Sequence, residues 1–431
     1  CTLRHRNGRR IGITGRSGGG AYSWYTAALD DRIQVVVPVA GITDLHNHVI
    51  DGTVKGHCDC MFMVNTYRWD YARLAALIAP RPLLFANSDK DPIFPLEGVM
   101  RVHREVAAVY RALGASAKLG LLITEGPHQD TQDLQVPAFR WFNRFLKNED
   151  PLIRVPAEKL FQPAQLRVFT PGQEPTDERT TRIHESFVPA ANNALPTDAA
   201  AWRLQRDAWR TALLTKSFAG WPGTPDAIEL RAGNDRATEK QRVTEYEFTS
   251  QGAIRLPLRL HRSVAGKAPV RVVLRVLDDA GWAESGLPAD LAAAVERGEV
   301  AVFDFAPRGV GPTASTASAA DKNQVRRRYL LLGQTVDGMR VWDIQRAVAA
   351  VRSSSVLGKT PITVQAAGDQ AVNALYASLF IDGLAGLELT RLPSSHATGP
   401  DYLNVLRFLD LPQAAAMAAA WGKSRKRSTL R

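Results

Sequence analysis

The run Ile33–Ala40 (IQVVVPVA) is β-branched and apolar on both faces, the pattern of a strand covered on both sides of its sheet. It sits in a regular alternation. Arg10–Thr14 (RIGIT) reads as a short buried strand, followed across a glycine turn by a helix over Gly20–Leu29. An irregular, aromatic-rich excursion runs from Gly41 to about Asp70. A helix near Tyr71–Ile78, a strand at Pro82–Ala86, a helix from about Leu96 to Leu113 and a strand at Leu119–Thr124 come next, and the amphipathic Leu134–Lys147 closes the unit. The rhythm predicts an α/β fold over residues 1–150, with a mostly parallel sheet and helices on both faces.

Residues 151–225 are rich in Pro, Thr, Asn and Gln and read as a linker with one helical element, Asp198–Lys216. Alternation returns in 226–431, which predicts a second α/β unit. Its strand-like runs are Arg242–Thr249, Ile254–His261, Val270–Val276 and Val300–Phe305, then a long helix at Gly338–Arg352. A strand at Ile362–Gln365, a helix near Ala371–Phe380 and a strand at Leu387–Arg391 complete it. Ile11–Leu29 lies over Ile362–Phe380 without a gap, so that Ser17 falls on Gly368. In this register the second unit keeps the strand–turn–helix and lacks the serine.

With 45% hydrophobic and 23% charged residues the chain has a globular composition, and no run of about 18 apolar residues suggests a membrane span. The net charge of +11 is concentrated in Arg326–Arg328 and in the tail around Lys423–Arg427; no nucleic-acid-binding motif accompanies it, so no nucleic-acid partner is expected. Three cysteines are too few for a disulfide framework, and Cys58 and Cys60 are poorly spaced for a bridge. The compartment and the oligomeric state are not readable.

The chemistry concentrates at Gly15-Arg16-Ser17-Gly18-Gly19, a G-x-S-x-G placed between a buried strand and a helix. A serine on such a turn is lifted clear of the sheet, and the Gly18 amide at the helix start is placed to donate to an oxyanion. Serine needs a base, and the base an orienting acid. The strand in PLLFANSDKDPIFP delivers Asp91 past its C-terminal end, with Asp89 as the rival. The loop in LLITEGPHQD then delivers His128 after the following strand. The order Ser17, Asp91, His128 brings all three to one sheet edge. Arg16, Tyr67 and Trp69 are candidate substrate contacts, and Phe62 and Tyr71 could line the same pocket or the core.

Two other chemistries compete. Thr14–Gly20 partly matches the T-G-x-x-x-G-x-G cofactor turn of short-chain dehydrogenases, but Ala21 breaks the pattern and no Y-x-x-x-K follows. His46, His48, His57, Cys58, Asp59 and Cys60 are metal-ligand types at spacings that match no familiar zinc motif, so no metal site is assigned.

Beyond the triad, GHCDCMFMVNTYRWDY (Gly56–Tyr71) and EGPHQDTQDLQVPAFRWFNRFLK (Glu125–Lys147) resemble bacterial α/β-hydrolases of the acetyl xylan esterase-like or prolyl-oligopeptidase-like kind, over most of residues 10–150. GQTVDGMRVWDIQRAVAAVRS (Gly333–Ser353) and HATGPDYLNVLRFLDLPQ (His396–Gln413) look like the C-terminal part of the same large proteins. The resemblance implies a serine hydrolase acting on a small-molecule or carbohydrate ester, without cofactor; a serine peptidase and a non-catalytic binding or scaffold protein are the alternatives. A complete core of this family has about four strands ahead of the serine turn, where about ten residues stand here. The chain also opens on Cys1, so an N-terminal truncation, with the first half of the sheet missing, is expected.

Overall fold

A computed structural model describes residues 10–423 apart from 58, 157–160, 171, 187–189, 193, 285, 316–317 and 356. The tail cluster from 424 onward lies outside the described residues. The chain divides into two compact units, 1–181 and 182–431.

In the first unit, β1 (Ile11–Arg16), α1 (Gly18–Leu29), β2 (Ile33–Val39), α2 (Tyr71–Ala76), β3 (Leu83–Ser88), α3 (Leu96–Ala112), β4 (Leu119–Thr124) and α4 (Gln132–Phe142) follow one another. The four strands lie in sequence order and are parallel throughout. This is the arrangement that strands joined by helical crossovers require. Alternation along the strands divides the side chains between two faces. Phe85 faces α3, where its ring meets His103 with centroids 6.0 Å apart. Val37, Val39, Leu84 and Ala86 face the other way and are closed by Leu134 and Ala138 of α4. At the foot of the sheet Arg81 donates to the carbonyls of Ala27, Asp30 and Ile33, stapling the end of α1 to the start of β2.

Among the described residues, the excursion between β2 and α2 contains only short helical turns. Asp44, at its start, is held by the Arg101 guanidinium from α3 and by the Asn47 amide. Burial alone would raise the Asp44 carboxyl, but these donors bring it below the ordinary carboxylate range. Gly98 of α3 packs against Thr43 and Asn47, leaving no space for a Cβ.

The second unit begins its regular structure with α5 (Ala199–Ala212). It continues through β5 (Arg231–Ala237), β6 (Gln241–Gln251), β7 (Ile254–Ser263), β8 (Arg271–Val276), α6 (Asp279–Ala283), α7 (Ala289–Glu296) and β9 (Val300–Phe305). Then come α8 (Ala319–Leu331), α9 (Val336–Ser353), β10 (Ile362–Ala367), α10 (Gly368–Ser378), β11 (Gly386–Thr390) and α11 (Leu411–Lys423). Seven strands form one mixed sheet in the order β11-β10-β8-β9-β7-β6-β5. The pairs among β5, β6, β7 and β9 are antiparallel, and those among β9, β8, β10 and β11 are parallel. One face packs Leu258, Leu274, Phe303 and Val364 against α9 and α10, with Trp209 and Leu213 in the same core. The other packs Val273 and Val302 on Leu291 and Val295 of α7.

The two units share a local geometry. β1 and β10 occupy the same span of the ungapped overlay, and each leads into a residue with positive φ, Ser17 (56°) and Gly368 (58°). A second landmark keeps the same spacing: Ala40 (φ 43°) follows β2, and Arg391 (φ 53°) follows β11.

Candidate active site

Ser17 sits between β1 and α1 at φ 56° and ψ −119°, a backbone state that non-glycine residues rarely adopt. It is fixed from both sides, since its N–H donates to the Val39 carbonyl at 2.9 Å and its carbonyl accepts from Ala21 N–H at 2.9 Å. The turn is compact because two glycines allow backbone to touch backbone. A Cβ on Gly15 would stand 2.6 Å from the Gly19 carbonyl carbon, and one on Gly20 2.5 Å from the Val39 carbonyl oxygen. Gly19, the last residue of the motif, meets nothing within 4 Å, so the close approach rests on Gly20 instead. Gly18 opens α1, where first-turn amides have no acceptor within the helix.

β3 and β4 carry the other two groups. Asp91 has a fully buried side chain. Its Oδ1 accepts the amides of Ile93 and Phe94, each at 2.9 Å, and its Oδ2 lies 2.6 Å from His128 Nδ1. A carboxylate accepts, so this contact suits a proton on Nδ1 and leaves Nε2 on the other side of the ring. Asp89 is turned elsewhere: its Oδ1 accepts the Gly126 amide at 2.8 Å. The two loops are further joined by Asp89 N–H to Thr124 O, Lys90 N–H to Gly126 O and Ser88 Oγ to Pro127 O.

Among the described residues no hydrogen bond joins Ser17 to the Asp91–His128 pair; the link runs through its neighbour. Arg16 Nη1 donates to the His128 carbonyl at 3.2 Å, tying the serine turn to the histidine loop. Arg16, which the sequence offered as a candidate substrate contact, thus holds a backbone group with one of its nitrogens. Tyr67 and Trp69 are tilted on each other at 5.4 Å, on a loop cinched by Asn65, which bonds both the amide and the carbonyl of Trp69. Tyr67 is 76% exposed. Tyr71 is core: it is fully buried and its hydroxyl donates to the Met61 carbonyl.

The residues the sequence did not single out for the site are Phe94 and, in this role, His57. The Phe94 ring stacks on the His128 imidazole with centroids 5.8 Å apart and an interplanar angle of 24°. His57 packs edge-on against Phe94 at 4.5 Å, and its Nε2 lies 3.0 Å from the Ile93 carbonyl, inside the loop that grips Asp91. An aromatic three residues past Asp91 is the one sequence signal that could have suggested Phe94. His57 gave none, because its partners come from β3's loop. Of the other metal-ligand types, His46 is exposed beside Asp51, His48 packs edge-on to His57, and Cys58 and the Asp59 side chain lie outside the described residues. Among the described residues no three such groups converge.

No protein-family model matches the chain. A Bacillus subtilis (strain 168) protein, YtaP, provisionally named a hydrolase, is 32% identical over 138 residues, covering 32% of this chain and 46% of that protein. The chain thus spans less than half the length of this curated relative. Among solved structures, a provisionally assigned acetyl xylan esterase from Bacteroides fragilis NCTC 9343 matches 53% of this chain and 68% of its own, at TM-score 0.41 and 14% identity. A glucuronoyl esterase from Teredinibacter turnerae T7901 matches 44% of this chain and 52% of its own, at TM-score 0.32 and 18% identity.

Proposed function

We propose that the first unit carries the centre of a serine hydrolase, with Ser17 as nucleophile, His128 as base and Asp91 as the acid that orients it. The observation that carries this reading is the Asp91–His128 pair, delivered by adjacent loops to a strained serine turn that Arg16 ties to the histidine. In this scheme Ser17 Oγ attacks the substrate carbonyl carbon while its proton passes to His128 Nε2. The oxyanion faces the Gly18 amide. As the tetrahedral species collapses, the bond to the leaving alcohol breaks and His128 returns the proton to that oxygen. Water, deprotonated by the same nitrogen, then hydrolyses the acyl-enzyme and restores Ser17. Asp91 stays ionised and fixes the Nδ1–H tautomer. No cofactor enters the scheme.

The hydrolase relative supports this reaction class. An ester is the preferred substrate over a peptide through the resemblance to acetyl xylan esterase-like proteins, with Tyr67 and Trp69 as the candidate contacts for a small-molecule or carbohydrate ester. The second unit is proposed to be a hydrolase-like unit without a nucleophile, because Gly368 takes the serine's place with the same φ. A fluorophosphonate probe tests the centre: labelling that vanishes in Ser17→Ala is expected, and labelling indifferent to Ser17 sinks the proposal. Faster turnover of a prolyl p-nitroanilide than of p-nitrophenyl acetate would overturn the ester assignment.

A further inference from the structure

The second unit has a cleft of about 360 Å³ at the carboxyl ends of β8, β10 and β11, beside the strand end that leads to Gly368. Parallel strands bind ligands at this end of a sheet. Its polar lining is Arg275, Asp278, Gln365, Glu388, Thr390 and Arg391.

The correspondence between the units shows what this lining replaces. In the first unit the matching sheet face is a helix seat: Val37 and Val39 lie under α4, and a Cβ on Gly12 would meet the Phe142 ring at 2.5 Å. In the second unit Glu388 stands for Val37, Thr390 for Val39, Gln365 for Thr14 and Thr363 for Gly12. A face awaiting an apolar helix would have kept the valines. This one is composed for water or for a polar ligand.

Four of these groups, Arg275, Asp278, Gln365 and Glu388, are also held by neighbours. Register places Arg259, Asp304, Arg275, Gln365 and Glu388 side by side across β7, β9, β8, β10 and β11. Arg275, whose side chain is 9% exposed, is anchored 3.2 Å from Asp304, and Gln365 Nε2 donates to Glu388 Oε2 at 3.2 Å. The Asp278 side chain accepts the Gly281 amide at the start of α6. Two cations face two anions, so the cleft selects neither a strong anion nor a strong cation. It offers fixed donors beside fixed acceptors. That set matches neighbouring hydroxyls, each of which donates and accepts.

We propose that this cleft is a non-catalytic binding site for a neutral, hydroxyl-rich ligand, a short saccharide. It uses the correspondence of the units but not the chemistry at Ser17. The test is calorimetric titration of the full chain carrying Ser17→Ala with xylotetraose, cellotetraose and tri-galacturonate. Saturable binding of a neutral tetrasaccharide is expected, weakened about tenfold or more by Glu388→Ala and by Gln365→Ala, the loss of one or two good hydrogen bonds. Thermal melts of each variant check that it is folded. Affinity should be the same with Ser17 intact and should survive Tyr67→Ala. The absence of neutral-saccharide binding at millimolar concentration, a preference for the charged trimer, or binding abolished by Tyr67→Ala and untouched by Glu388→Ala would each overturn the proposal. Failure of fluorophosphonate labelling would leave it standing.

Discussion

Ser17 and Gly368 hold the same backbone angle, φ 56° against 58°, at the same step between a parallel strand and a helix. For glycine this costs little; for serine it is strain of about 1–3 kcal/mol, borne by the surrounding contacts. Ser17→Gly should therefore abolish fluorophosphonate labelling and yet raise the urea midpoint, by roughly 1 kcal/mol of stability. Ser17→Ala should abolish labelling without that gain. A Ser17→Gly protein no more stable than Ser17→Ala would show that the turn is not strained.

The glycines of the turn should separate cleanly. Gly19 lies inside α1 with open space at its Cβ, so Gly19→Ala should be neutral or stabilising by up to about 1 kcal/mol. Gly15→Ala and Gly20→Ala drive a methyl into backbone and should cost about 1–3 kcal/mol. Thermal melts of the three variants check the order.

The two acids should also divide. Asp91→Asn keeps the shape of the side chain but removes the charge that fixes the His128 tautomer, and should lower kcat on p-nitrophenyl acetate by about 10⁴-fold. Asp89→Asn should leave kcat within a few-fold and cost about 0.5–1.5 kcal/mol of stability through its bond to Gly126. Equal losses of kcat would contradict the assignment of Asp91.

A pH effect resides in the second unit. Burial pushes the His396 imidazole below the ordinary histidine range, where it is held neutral between Tyr376 Oη at 2.8 Å and the Pro400 carbonyl at 3.1 Å. The unfolded chain, titrating near pH 6.5, binds the proton that the folded one refuses. The contribution is thus complete above about pH 6.5. It is lost as pH falls through that value toward the lowered folded one, with a slope of at most about 1.4 kcal/mol per pH unit. Urea midpoints measured from pH 7.5 down to 5.5 should fall more steeply for the wild type than for His396→Gln.

Periodicity made much of this architecture legible. β4 and β9 have the bounds their apolar runs suggest, and the overlay of Ile11–Leu29 on Ile362–Phe380 reproduces β1 and β10 residue for residue. β5 escaped because Arg231–Ala237 has no apolar face; it is exposed throughout and pinned to β6 by pairs such as Arg236–Glu245 and Asp235–Thr244. α8 escaped behind its arginine cluster, which reads as bulk charge although Arg327 is buried and Ser318 caps the helix. At the site, Asp89 and Asp91 differ in which donors surround them: Asp91 has the nearby Ile93 and Phe94 amides as well, but the partners that separate the two, Gly126 and His128, come from β4's loop, out of reach of local sequence.

The bonds between the β3 and β4 loops have a consequence for motion. Ser88, Asp89, Lys90 and Asp91 each reach across to Thr124, Gly126, Pro127 or His128, so Asp91 and His128 sit on one cross-bonded platform. Displacement of either loop should therefore carry the other with it, which would keep the Asp91–His128 distance steady. The turn of Ser17 stands apart from that platform: among the described residues, the side-chain hydrogen bond between the turn and the platform is the one from the long side chain of Arg16.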